Sequence, residues 1–181
     1  MRQRIRIIIF VSLFSALTAA GAFIKIPVPL VPMTLQTLLV YTAGLFLGPA
    51  GGALSQVIYI TLGLVGLPIF AGGGGIAYVF SPTFGYLIGF IPAAAVAGLL
   101  GRKGGYVWPV CGVACAVLIV YLFGVPYLML AAKLFLKKEM ALGTALKVGF
   151  LLPVIGDSVK SVAALTIFYS ARKKFDLPLG K

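Results

Sequence analysis

The sequence predicts an all-α membrane protein: a single domain over residues 1–181, folded as a compact bundle of six transmembrane helices. Hydrophobic residues make up 61% of the chain, and its mean hydropathy is +1.14. Charged residues make up only 10%, whereas they are about a quarter of a typical soluble domain. A chain of 181 residues has room for about six spans of ~20 residues and short loops, but not for a soluble catalytic domain as well.

The predicted spans follow one another with little polar sequence between them. They cover residues 5–24, 35–49, 52–67, 84–100, 106–130 and 150–171. The second and third spans are short and meet at GPAGG, residues 48–52, which is uncharged and typical of a turn. We therefore expect these two spans to form a tight helical hairpin.

The basic residues predict that both termini are cytoplasmic. Nine of them would then share the cytoplasmic side: Arg2, Arg4, Arg6, Arg102, Lys103, Arg172, Lys173, Lys174 and Lys181. Five would lie outside: Lys25, Lys133, Lys137, Lys138 and Lys147. Cytoplasmic loops carry an excess of Lys and Arg, so this distribution favours both ends inside. The net charge of +12 is better explained by orientation and anionic lipid than by nucleic acid, because the basic residues flank apolar runs.

A pair of opposite charges stands inside the last span. Asp157 lies three residues before Lys160, and the chain has only two other carboxylates, Glu139 and Asp176. One helical turn places both side chains of the pair on the same face. Charge within the hydrocarbon layer is costly, and it usually marks a ligand or ion site that faces the protein interior. We expect Asp157 and Lys160 to bind a substrate; the alternative is a mutually neutralised pair that only holds the fold.

The loop before the fourth span carries the next signal. Residues 66–83 are uncharged and include four successive glycines at positions 72–75. Such a run allows main-chain groups to approach a ligand closely, and Gly73 and Gly74 are the candidates for this contact. The loop matches a phosphate-binding loop poorly, because it has no lysine and no Gly-Lys-Ser or Gly-Lys-Thr ending. We expect a packed lid over the site, and a passive loop is the alternative.

Three further side chains are candidates for the same site. Thr34 and Gln36 open the second span, on the membrane side where the glycine loop is expected. Tyr86 begins the fourth span near that side, where it either reaches the site or belongs to the aromatic belt of the interface.

The first span predicts a helix partner. Ser12, Ala16 and Ala20 are spaced four residues apart, so they lie on one face and permit close helix approach. That partner is either another subunit or a helix of the same bundle. A signal peptide over residues 1–22 is a competing interpretation, but the apolar run is long for one and further spans follow.

Catalytic chemistry has few possible residues in this chain. There is no histidine and there are only three carboxylates, so a buried metal centre or a His-based triad cannot be assembled. No nucleophile stands beside Asp157 and Lys160. We expect neither an enzyme nor a cofactor.

Several motifs occur together and in order: VPMTLQTLLVYTAGLFLGPAGGALSQ, YITLGLVGLPIFAGGGG, SPTFGYLIGF and GDSVK. Over most of residues 16–165 this pattern resembles the BioY family, the biotin-binding S components of energy-coupling-factor transporters. Ala16 and Ala20 also resemble the Ala-x-x-x-Ala element through which S components dock. The sequence departs from the commonest pattern in GDSVK, where a more apolar residue often follows the Asp, and in its unbroken run of glycines.

The resemblance implies a fold, a ligand and partners. The fold would be a compact six-helix bundle with a substrate cavity near the extracellular side, capped by loops, in the cell membrane of a prokaryote. The ligand would be biotin, captured with high affinity and without catalysis. Transport would need a transmembrane T subunit and two ATPase subunits of an ABC-type importer, because this chain has no nucleotide motif.

Biotin suits the charged pair chemically. An ionised Asp157 accepts hydrogen bonds and can take the ureido N–H donors, whereas Lys160 only donates. Lys160 would neutralise Asp157, meet the ureido group or meet the ligand carboxylate, and the sequence leaves these open. Two other functions also remain open: an S component for another vitamin, and a proton-coupled carrier that uses Asp157 and Lys160 as its relay.

Overall fold

The computed structural model describes residues 2–28, 30–103, 105–135, 137 and 139–174. Its helices are α1 (Arg2–Phe23), α2 (Gln36–Val65), α3 (Phe84–Gly101), α4 (Val107–Leu134), α5 (Leu142–Leu146) and α6 (Leu152–Lys174). A π-helical segment, Lys147–Leu151, joins α5 to α6. Two short antiparallel strands, β1 (Lys25–Ile26) and β2 (Met33–Thr34), lie between α1 and α2. Asp176 and two of the basic residues used to predict orientation, Lys138 and Lys181, lie outside the described residues.

The described residues contain five helical stretches long and apolar enough to cross a membrane. They are Ile5–Phe23, Gln36–Val65, Phe84–Gly101, Val107–Leu134 and Leu142–Lys173. The last one begins earlier than the predicted 150–171, because α5 and the π segment continue into α6 without a break. The chain is therefore a mostly helical, multi-pass membrane protein.

Helix α2 contains the two short spans expected to form a hairpin, and it reverses direction at Gly48. This residue has non-helical angles, φ 73° and ψ −175°, a conformation that glycine adopts without strain. Pro49 then starts the second limb, where its fixed φ suits a first helical turn. The limbs are antiparallel, since Gln36 Nε2 donates a 2.6 Å hydrogen bond to the Tyr59 hydroxyl, 23 residues away.

Small residues allow the central helices to pack closely. A Cβ added to Gly44 would lie 2.3 Å from the Ala94 carbonyl oxygen, and one added to Gly98 would lie 2.4 Å from the Gly48 carbonyl carbon. Ala97, which has no exposed surface, contacts Gly112 of α4. Close van der Waals contact of this kind holds membrane helices together, because lipid gives no hydrophobic drive for their association. α2, α3 and α4 thereby form the centre of the bundle, and α1 and α6 pack against α2.

Candidate functional site

Asp157 lies in the second turn of α6 and faces the centre of the bundle. It is 4% exposed. Its Oδ1 accepts a 2.9 Å hydrogen bond from the Thr37 hydroxyl of α2, and its Oδ2 accepts a 2.7 Å hydrogen bond from the Tyr121 hydroxyl of α4. Lys160 forms an ion pair with Oδ1. Three helices thus contribute donors to one buried carboxylate, which compensates for its removal from water.

Lys160 links this carboxylate to the β1–β2 segment, which lies between α1 and α2. Its side chain is largely buried, and its Nζ donates a 2.8 Å hydrogen bond to the backbone oxygen of Thr34 in β2. The ammonium group therefore has two partners, a charged one on its own helix and a neutral one on the β1–β2 segment. An aliphatic stem with four rotatable bonds allows Lys160 to change partners without moving α6.

A cavity of about 60 Å³ lies against Asp157. Five of the residues predicted for the site line it: Asp157, Lys160, Thr34, Gln36 and Tyr86. Apolar residues complete the wall, including Leu87, Phe90 and Val120. The structure thus brings together side chains from α2, α3, α4, α6 and strand β2 around one small, mixed polar and apolar space.

Two of these residues also hold neighbouring elements in place. The Tyr86 hydroxyl donates a 2.8 Å hydrogen bond to the Gly149 backbone oxygen. This bond joins α3 to the π-helical segment that precedes α6. Gln36 accepts a 3.0 Å hydrogen bond from the Thr34 hydroxyl through Oε1 while its Nε2 binds Tyr59. Both side chains are therefore oriented before any ligand arrives.

The glycine loop approaches the cavity through residues other than Gly73 and Gly74. Ala71 and Tyr78 line the cavity, and neither predicted glycine does. Gly74 packs on backbone, where an added Cβ would lie 2.0 Å from the Leu67 oxygen, and Gly73 has a φ of +124°. These glycines are required by the close turn itself. The loop is fixed further by Phe70, which is 2% exposed and packs against Tyr59 and Tyr78.

A second, larger cavity of about 390 Å³ lies beside the first, between the β1–β2 segment and α6. Met33, Thr34 and Lys160 line both cavities, so they form the wall between them. The Met33 methyl group rests on Gly156, where an added Cβ would lie 2.5 Å from Met33 Cε. The side-chain part of this wall is flexible, because methionine and lysine both have several rotatable bonds.

Sequence reasoning missed Thr37 and Tyr121, the two neutral partners of Asp157. Thr37 follows the candidate Gln36 directly, and threonine at the start of an apolar helix was an available signal. Tyr121 had no comparable signal, because a tyrosine in the middle of an apolar span is usually a core residue.

The residues predicted to contact a partner helix, Ser12, Ala16 and Ala20, all lie on the exposed face of α1.

Apolar helices that enclose a hydrogen-bonded ion pair define the chain as a multi-pass membrane protein with a buried polar site. The BioY family profile matches residues 1–176. The chain belongs to the BioY family, as the ordered motifs predicted.

Named relatives cover nearly the whole chain. A probable biotin transporter BioY of Lysinibacillus sphaericus is 42% identical, over 93% of this chain and 87% of its own. The biotin transporter BioY of Thermotoga maritima is 37% identical, over 96% and 97%. Among solved structures, the S-component for biotin from an ECF-type ABC transporter matches with a TM-score of 0.86 and 25% identity, covering 98% of this chain and 96% of that one. The fold of that S-component is therefore the fold of this chain.

Proposed function

We propose that this chain is the biotin-binding S component of an energy-coupling-factor importer, which captures the vitamin and carries out no chemistry on it. The relatives named as biotin transporters and the structural match to an S-component for biotin both support this function. The observation that carries the proposal is the buried Asp157 carboxylate, which lines a cavity and is oriented by Thr37 and Tyr121.

The chemistry of biotin complements this arrangement. Its ureido ring offers two N–H donors, and a carboxylate is an acceptor-only group that can receive them. Its thioether ring is apolar and matches the wall formed by Leu87, Phe90 and Val120. Its own carboxylate needs a cation, and Lys160 is the charged donor at the cavity. Lys160 would then exchange Asp157 or Thr34 for the ligand.

The volumes indicate how the ligand enters. A cavity of about 60 Å³ is far smaller than the ~300–1,000 Å³ of typical ligand pockets. The neighbouring cavity of about 390 Å³ is separated from it by Met33, Thr34 and Lys160. Movement of the Met33 and Lys160 side chains would connect the cavity at Asp157 to this larger open space. Binding would therefore proceed with rearrangement of these side chains and of the β1–β2 segment.

The remaining parts of the proposal concern the membrane and the partners. Each limb of α2 would cross the bilayer, which makes six spans and puts both termini in the cytoplasm of a prokaryotic cell. The exposed face of Ser12, Ala16 and Ala20 on α1 would contact the transmembrane T subunit, and two ATPase subunits would drive release. Exposed small residues support this contact, because they allow a partner helix to approach closely.

Isothermal titration of the purified protein with biotin tests the ligand. Asp157→Asn keeps the shape of the side chain and removes its charge. We expect it to weaken biotin binding about 10- to 100-fold, as expected for lost hydrogen bonds to a charged group. Glu139→Gln is the matched control, because Glu139 is exposed. This variant should bind biotin like the parent chain. Unchanged affinity in Asp157→Asn would refute the assigned site.

Competition separates biotin from other vitamins. Thiamine and riboflavin should not displace bound biotin, and displacement by either one would indicate a different vitamin on the same scaffold. Uptake into vesicles should require the T subunit and ATP. Uptake that follows a pH gradient without an ATPase would instead support a proton-coupled carrier.

A further inference from the structure

A cleft of about 600 Å³ opens near the C-terminal end of α6, beside the loop that joins α3 to α4. Arg172 lies 15 residues after Asp157, which is about 22 Å along the helix at ~1.5 Å per residue. The cleft is thus well separated from the cavity at Asp157. Its lining consists of Gly105, Tyr106, Tyr169, Ser170, Arg172 and Lys173.

Direct contacts fix the walls of this cleft. The Tyr169 hydroxyl donates a hydrogen bond to the Tyr106 backbone oxygen, and the two tyrosine rings are 5.2 Å apart between centroids. Arg172 reaches the Gly105 oxygen at 3.5 Å, the long limit for a hydrogen bond. The guanidinium group has five N–H donors, and among the described residues this weak contact is the hydrogen bond that it makes. Lys173 is exposed beside it.

The aromatic residues indicate that the cleft lies at the membrane surface. Tyr106 is 78% exposed and Trp108 is 45% exposed, and the Lys103 ammonium lies 4.3 Å from the centroid of the Trp108 ring. Tyrosine and tryptophan concentrate at the headgroup level of membrane proteins. Exposed apolar side chains are also present on the two helices that border the cleft, including Val110 on α4 and Ile167 on α6.

We propose that this cleft binds one anionic phospholipid, with its phosphate between Arg172 and Lys173. The two tyrosine rings flank the glycerol part of the headgroup, and the acyl chains lie along the exposed apolar faces of α4 and α6. Two cations in a cleft complement a phosphate, and basic pockets between transmembrane helices recognise headgroups in this way. A free phosphate is also an anion, but it cannot use the apolar faces, so the occupant is a lipid. The proposal is independent of biotin binding.

Native mass spectrometry of the full chain in neutral detergent tests this site. Phosphatidylglycerol, phosphatidylcholine and water-soluble glycerol phosphate are titrated separately, and bound molecules are counted. We expect one phosphatidylglycerol to bind preferentially. The double variant Arg172→Gln/Lys173→Gln should weaken that binding on the order of tenfold or more, since each basic residue contributes to headgroup attraction. Arg172→Lys should retain most of it, because the charge remains.

The control is Lys133→Gln/Lys147→Gln, which removes the same charge from exposed positions outside the cleft. It should bind phosphatidylglycerol like the parent chain. Equal losses in the two double variants, or no loss in either, would overturn the proposal, since charge alone or neither charge would then matter. Binding of glycerol phosphate as tightly as phosphatidylglycerol would overturn the assignment to a lipid. Each variant should unfold at the same temperature as the parent chain, which would show that it is folded.

Discussion

Helix α6 carries charged residues in two regions, which differ in their burial and in their partners. Near its start, Asp157 is buried and the Lys160 side chain is 13% exposed, and each of them has a partner from another element. Near its end, Arg172 and Lys173 are exposed at the surface of the bundle. The difference follows from the solvent. Where water is excluded, protein groups must replace hydration, and where water or headgroups are available the side chains remain free to bind them.

The largest expected effect is on the buried pair. Asp157→Leu leaves the Lys160 ammonium buried without its counter-charge, and removing one partner of a buried pair costs roughly 3–5 kcal/mol. We therefore expect a large fall in the unfolding temperature and complete loss of biotin binding, measured in detergent by thermal denaturation and titration.

The double variant Asp157→Leu/Lys160→Met separates stability from function. Both charges are gone, so the unfolding temperature should return close to that of the parent chain while biotin binding stays absent. If the double variant is as unstable as Asp157→Leu alone, the stranded ammonium is not the cause of the loss, and the contrast between the two regions of α6 fails.

The neutral partners of Asp157 should have the next largest effect. Tyr121→Phe and Thr37→Val each remove one hydrogen bond to the carboxylate, and bonds to charged groups contribute about 1.5–3 kcal/mol. We expect biotin affinity to fall roughly tenfold or more in each variant, because the carboxylate loses its fixed orientation. Tyr169→Phe, which changes a tyrosine near the other end of α6, serves as the control and should leave the titration curve unaltered. A parent-like affinity in both site variants would show that Asp157 needs no orientation.

A smaller effect is expected at the wall between the two cavities. The added methyl group in Gly156→Ala would displace the Met33 side chain, which is flexible, so the fold should be retained. We expect radiolabelled biotin to associate a few-fold faster, because the wall is partly opened. Gly143→Ala is the matched control, since no atom lies within 4 Å of its added Cβ. An unchanged association rate would mean that biotin takes another route.

The smallest effect is expected from the exposed region of α6. Arg172→Gln/Lys173→Gln should change the free energy of unfolding in neutral detergent by no more than about 0.5 kcal/mol, as for most surface substitutions. Its biotin affinity should equal that of the parent chain. A clear loss of biotin binding in this variant would show that the two regions are coupled and would break the comparison.

Several features of the fold and site could be predicted because they depend on neighbouring residues. The i, i+3 spacing of Asp157 and Lys160 places them on one face in any α-helix. The uncharged GPAGG segment, residues 48–52, predicts a turn between two short apolar spans, and α2 reverses there. The expectation for Gly73 and Gly74 came from the same kind of local reasoning, but whether a flexible backbone contacts a ligand or only makes a turn depends on what packs around it.

The sequence by itself determined the membrane class, the apolar segments and the charged pair, because composition and helical periodicity are local properties. Only the tertiary structure decided which groups form hydrogen bonds with the charged side chains. Thr37 and Asp157 are 120 residues apart, and Tyr121 and Asp157 are 36 apart, so their hydrogen bonds exist only after α2, α4 and α6 have packed. The same packing placed the Met33 methyl group against Gly156, which is far from it in the chain. Contacts between helices depend on the shapes of all of them together, and no single segment contains that information.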